Sequence, residues 1–171
     1  YPITHGVRNN GMFVLDDSFE TLAEVFSQKG YATGAFISAQ VLIEQYGLGQ
    51  GFDVYNDDLR EGRKVGQSVV PSRRGDLTLS RALEWLDTVD EDRPFFMWLH
   101  LYDPHAPYDP PPEYRSKFPT DPYGGEIAFA DSLVGNLLGE LQQRGRDDST
   151  VLTVLADHGE SLGEHGERTH G

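Results

Sequence analysis

Cysteine is absent from the 171 residues, which excludes a disulfide scaffold and a thiolate metal site. Positive charge is scarce: 14 Lys and Arg stand against 28 Asp and Glu, a net charge of −14. No basic stripe offers itself to phosphates, which argues against nucleic acid as a partner. No apolar run approaches the ~20 residues of a membrane-spanning helix, and no charged-then-apolar leader opens the chain. The P-loop and the G-x-S-x-G nucleophile elbow are missing. So is the H-E-x-x-H zinc pattern, since Glu164-His165-Gly166-Glu167 lacks two histidines at helical spacing. The chain starts at Tyr1 without Met and ends at Gly171 with no stop signal, so a piece of a longer protein is expected.

What is present is a globular composition, 37% hydrophobic and 11% aromatic, at a length suited to one domain with a core. Phe19, Leu22, Ala23 and Phe26 share one helical face, with Asp17 and Glu20 as a capping box and Gly30 as the stop. Tyr31–Ser38 reads as a buried strand. Residues 39–75 read as an irregular excursion, with Gly47-Leu48-Gly49-Gln50-Gly51 as a turn and Arg60–Arg74 as a solvated connection. A second helix starts near Asp76, striped by Leu79, Ala82, Leu83 and Leu86. Phe95–Leu101 is a continuous apolar run between prolines, the pattern of a strand buried on both faces. Asp103–Pro112 holds prolines 104, 107, 110, 111 and 112 and resists regular structure. A third helix is expected over Gly125–Arg144, with Ile127, Ala130, Val134, Leu137, Leu138 and Leu141 inward and Gly145 as its end. Thr150–Ala156 reads as the clearest strand. The alternation of helix and strand predicts an α/β fold with a mainly parallel sheet flanked by helices.

In such sheets ligands bind beyond the carboxyl ends of the strands. Two places qualify. Asp157-His158 sets an oxygen and a nitrogen donor side by side before Gly159, which suits a divalent cation or, alternatively, a capped turn with a solvated imidazole. His105 stands in Asp103-Pro104-His105-Ala106-Pro107-Tyr108, where flanking prolines stiffen the backbone. It can bind an anion or move a proton, or else belong to a rigid surface loop against Tyr108. His158, His165 and His170 crowd together with Glu160, Glu164 and Glu167, as metal ligands or as an acidic loop. His100, inside the apolar run, reads as an internally hydrogen-bonded core residue.

Taken together, several stretches resemble the sulfatase branch of the alkaline phosphatase superfamily. They are Tyr1-Pro2 with His5-Gly6-Val7-Arg8, Thr21-Leu22-Ala23 through Gly30-Tyr31-Ala32-Thr33, Gly51-Phe52-Asp53, His100 through Tyr108, Tyr123 through Ala128, and Ala156-Asp157-His158-Gly159-Glu160 with Gly163 through Gly166 and His170-Gly171. The resemblance implies a single, partial alkaline phosphatase-like catalytic domain over residues 1–171, hydrolysing small-molecule or glycan sulfate esters. It implies one divalent cation, calcium first, held in part by Asp157 and His158. It implies that His105 contacts the sulfate or the leaving oxygen, that His170 reaches the sulfate, and that Asn10 touches substrate. A periplasmic or extracellular home is implied by the same resemblance.

The family's nucleophile is a formylglycine made in a C/S-x-P-x-R motif, expected upstream of Tyr1 together with the first-strand carboxylates of the metal site. Val69-Val70-Pro71-Ser72-Arg73 has valine where the nucleophile belongs. The isolated chain is therefore expected to be inactive. Ser38 and Gln40 stand where many sulfatases carry the cationic residues of Gly-Lys-x-His. That leaves open a phosphodiesterase or phosphonate monoester hydrolase using manganese or zinc. A non-catalytic acidic calcium-binding module is the alternative of another class.

Overall fold

The computed structural model describes residues 2–9, 11–59, 71–163 and 166. In chain order its elements are α1 (Pro2–His5), α2 (Leu22–Gln28), β1 (Ala32–Phe36), β2 (Val54–Asn56), α3 (Gly75–Leu86), β3 (Phe95–Leu99), α4 (Pro112–Lys117) and α5 (Pro122–Gln143), with short 3-10 turns between several of them. The strands form a sheet of order β2-β1-β3, parallel throughout. This is the α/β architecture expected from the alternation. Among the described residues no helix is long and apolar enough to cross a membrane.

β1 is the central strand and every residue of it is buried. In β3, side-chain alternation feeds two cores. Phe95, Met97 and Leu99 join the cluster built by Leu79, Ala82, Trp85 and Leu86 of α3 and by Phe129, Leu133, Leu137 and Leu141 of α5. Phe96 and Trp98 face the other way. There Phe26 of α2 stacks on Phe96 at 4.7 Å, and Phe52 stacks on both Phe96 and Trp98 at 5.8 and 6.3 Å. Helices thus cover both faces, as parallel sheets require. β3 itself is half-buried rather than fully enclosed.

The capping box of α2 lies one turn later than expected. Thr21 Oγ1 accepts the Glu24 amide at 3.1 Å, and Glu24 Oε2 accepts the Thr21 amide at 2.7 Å. The Thr21 hydroxyl also donates to the Gln50 carbonyl at 2.9 Å, a contact Asp17 lacks the chemistry to make. Asp16 instead turns the chain by accepting the Ser18 amide. β2, α4 and the 3-10 turns were not expected. α4 starts at Pro112, where a missing N–H costs nothing.

α5 is rotated relative to the expected face. Glu126, Phe129, Leu133, Leu137 and Leu141 are buried, whereas Ile127 and Leu138 are exposed. The i, i+4 series of Phe129, Leu133, Leu137 and Leu141 meets α3 along its length, with Tyr114 packed against Phe129. The expected strand over Thr150–Ala156 is not formed. Those residues pair with no described strand, and Val151 and Leu155 are 90% and 86% exposed. β-branched composition favours extended backbone, but a strand also needs an edge to bond to.

The connection before α3 is also corrected. Of Arg60–Arg74, residues 60–70 lie outside those described, but Arg73 is 2% exposed and not solvated. Its Nε donates to Thr78 Oγ1, its Nη1 to Asn56 Oδ1 and the Asp58 carbonyl, and its Nη2 to the Ile37 and Asn56 carbonyls. One guanidinium ties the ends of β1 and β2 to the first turn of α3.

Candidate active site at the strand ends

β1 and β3 run in register, Phe36 opposite Leu99, so the segments leaving both strands emerge at one edge of the sheet. Ser38 and His100 meet there. The Ser38 amide donates to His100 Nδ1 at 3.3 Å, and the Ser38 hydroxyl shares a 2.6 Å hydrogen bond with Thr78. His100 is therefore an internally bonded histidine, as expected. Burial pushes its pKa down from 6.5 to about 4, with the charge of Asp157 opposing the shift. Ser38 is fully buried and offers no cation at its position.

Beyond His100 the proline loop closes on itself. The Asp103–Pro104 and Ala106–Pro107 peptides are cis. Asp103 Oδ2 accepts the Gly75 amide at 2.8 Å, capping α3 from another element. His105 stacks on Tyr102, with ring centroids 4.2 Å apart and planes 19° from parallel. The expected alternative partner, Tyr108, instead meets Tyr123 edge-on at 5.2 Å. His105 Nδ1 lies 2.7 Å from the Ala106 carbonyl. A carbonyl only accepts, so this nitrogen carries the proton. Arg73, Arg74, Tyr102, Asp103, His105 and Glu126 line a small cavity of about 30 Å³, room for roughly one water. Arg74 is bound to Asp76 through two hydrogen bonds of 2.7 and 2.5 Å.

The 157–160 segment lies against this loop. Asp157 acts electrostatically on His100. Glu160 is hydrogen-bonded to Tyr108 and its charge reaches Tyr102. Burial first, and Glu160 second, hold both phenols above their ordinary range. Asp157 Oδ2 and His158 Nε2 are 3.4 Å apart, so the two side chains converge. His158 Nδ1 lies 2.8 Å from the Gly159 carbonyl and by the same reasoning carries the proton, which makes Nε2 the ring nitrogen with the lone pair. Two adjacent ligands of a hard cation at right angles are separated by about 3.3 Å, so the pair fits one ion as two of its donors. Among the described residues no group of three or more acidic or histidine side chains converges on such a point. Asn10, His165 and His170 lie outside the described residues.

Sequence reasoning missed Tyr102, Arg73 and Glu126. Tyr102 was visible only as one aromatic in a motif. The burial of Arg73 and Glu126 comes from elements distant in the chain, which local composition does not register.

Comparison with known proteins gives a family and a fold. The family model described as Sulfatase matches residues 1–171. The chain is 32% identical over 85 residues to steryl-sulfatase of Rattus norvegicus, covering 48% of this chain and 15% of that protein. It is 36% identical over 63 residues to iduronate 2-sulfatase of Homo sapiens, covering 36% of this chain and 11% of that one. The chain thus spans only a small part of the curated relatives it matches. Among solved structures it resembles Ps i-CgsB, crystallised with k-i-k-neocarrahexaose, at a TM-score of 0.58 and 18% identity over 84% of this chain and 40% of that one. It resembles BT4656, in complex with its substrate D-glucosamine-2-N,6-O-disulfate, at 0.53 and 23% over 70% and 25%. A protein of the alkaline phosphatase superfamily from Vibrio parahaemolyticus gives 0.52 and 22% over 73% and 32%. With its whole length matched by the family model, and a fold shared with the alkaline phosphatase superfamily, the chain belongs to the sulfatase family.

Proposed function

We propose that the full-length protein hydrolyses sulfate esters, with sulfated sugars as the leading substrate class. Family membership and the approach of the 157–160 segment to the proline loop support the reading, the latter through Asp157 acting on His100 and Glu160 bonded to Tyr108. The glycan class draws on BT4656 and its sulfated glucosamine.

In this reading Asp157 Oδ2 and His158 Nε2 hold one divalent cation, calcium first. When bound, that ion supplies positive charge to a sulfate that a chain of −14 would otherwise repel. With the Nδ1 proton of His105 kept in its hydrogen bond to the Ala106 carbonyl, Nε2 has to carry a second proton to serve as the acid, and it gives that proton to the leaving oxygen as the ester bond breaks. Asn10 and His170 are assigned as further substrate contacts. The nucleophile, a formylglycine, is supplied by sequence outside these 171 residues, so the isolated chain does not turn over.

Full-length protein assayed with 4-nitrophenyl sulfate and a sulfated glucosamine tests the proposal. Turnover that EDTA abolishes and calcium restores is the expected result. Turnover confined to phosphodiesters or phosphonate monoesters would replace it with the second reading. That reading draws on the buried, Thr78-bonded Ser38, which leaves no cation at that position for sulfate.

A further inference from the structure

The Ala106 carbonyl and the Tyr102 ring constrain different things at His105. The Ala106 carbonyl at 2.7 Å holds the proton on Nδ1. The Tyr102 ring, 4.2 Å away and 19° from parallel, holds the plane of the imidazole. A neutral phenol presents an electron-rich face, which also favours an imidazolium lying over it. Tyr102 is itself held. It is half-buried, comes three residues after the end of β3, and has His100 at 6.4 Å on its chain side. The Tyr102 ring thus sits between the His100 ring on the strand side and the His105 ring on the loop side.

We infer that Tyr102 is a positioning residue for His105: its stacked ring fixes the imidazole so that Nδ1 stays bonded to the Ala106 carbonyl and Nε2 is the nitrogen that exchanges the proton with substrate. The inference rests on the sulfate-ester reading for its kinetic consequence, but not for its structural one. Removing the stack frees the ring to rotate about its side-chain bonds and to mix tautomers. Tyr102→Phe preserves the stack, whereas Tyr102→Leu keeps apolar bulk without a flat face.

Two measurements on full-length protein test this. In kinetics with a sugar sulfate, Tyr102→Leu lowers kcat by about three- to tenfold, the worth of one aromatic stack. KM stays within about twofold, and Tyr102→Phe restores wild-type kcat. In a His105→Gln background, Tyr102→Leu has no further effect, because residues acting through one another are not additive. A Tyr102→Leu loss that multiplies onto His105→Gln, or one that appears only in KM, overturns the inference. The second readout needs no turnover. Nitrogen-15 shifts of His105 show the Nδ1-protonated tautomer in wild type and Tyr102→Phe, and a mixture in Tyr102→Leu. An unchanged tautomer in Tyr102→Leu overturns the inference even in an active sulfatase. Absence of sulfate-ester turnover in wild type overturns the proposed function and leaves the tautomer result to decide the stack.

Discussion

Glu126, in the first turns of α5, accepts the backbone N–H of Asp109 through Oε1 at 2.7 Å. This contact joins the buried side of α5 to the far end of the loop that carries His105, and Glu126 is only 2% exposed. Glu126→Ala removes a charged acceptor and is expected to cost about 1.5–3 kcal/mol of unfolding free energy. Glu126→Gln keeps an acceptor oxygen and is expected to cost less. Urea unfolding of the two variants separates them, and equal losses would mean that the Asp109 bond is not what Glu126 supplies.

Arg73 is a buried strut and not a surface cation. Its guanidinium hydrogen bonds reach Thr78, Asn56, Asp58 and Ile37. Arg73→Met leaves carbonyls at the ends of β1 and β2 without donors, at an expected cost of roughly 3 kcal/mol or more. Arg73→Lys is expected to recover little, because one ammonium cannot span the fork. Thermal unfolding checks this, and a Lys variant as stable as wild type would contradict it.

Two glycines with positive φ separate strain from crowding. Gly51 (φ +84°) would place a Cβ 2.2 Å from the Glu24 backbone nitrogen, whereas Gly30 (φ +83°) has nothing within 4 Å. Both Ala substitutions carry the left-handed penalty of about 1–2 kcal/mol. Only Gly51→Ala must also push the start of α2 away from the turn. Its midpoint in denaturant is expected to fall well below that of Gly30→Ala, and matching midpoints would count against the close approach.

His100 gives the fold a pH dependence of definite sign. Burial holds its pKa at about 4 against 6.5 in the open chain. Between those values the unfolded chain binds the proton and the folded one does not. The stabilisation is thus complete above about pH 6.5 and is lost as pH falls toward 4. A cation on Asp157 would weaken the opposing attraction and leave the sign unchanged. His100→Gln is expected to flatten the dependence of unfolding free energy on pH across that window. A variant with the wild-type slope would show that His100 does not carry it.

The helical and apolar periodicities of β1, β3 and α3 were legible because each is a pattern within a few residues, even though the partners, as in Ala32 opposite Phe95, lie far along the chain. The capping box was harder. Asp17–Glu20 and Thr21–Glu24 both satisfy the spacing, and the Gln50 carbonyl, remote in sequence, selects Thr21. Thr150–Ala156 shows the opposite failure, a segment with strand propensity and no described edge to pair with. At the site, Asp157-His158 and His105 stand out as residue types in telling surroundings. Tyr102 does not, because its relevance is a ring-to-ring distance and not a spacing.

In the proposed reading Asp157 and His105 serve one centre at the carboxyl ends of the strands. Measuring bound calcium and sulfate-ester turnover together in full-length Asp157→Ala tests it most directly. The variant is expected to lose the ion and the turnover together. A variant that keeps both would contradict it.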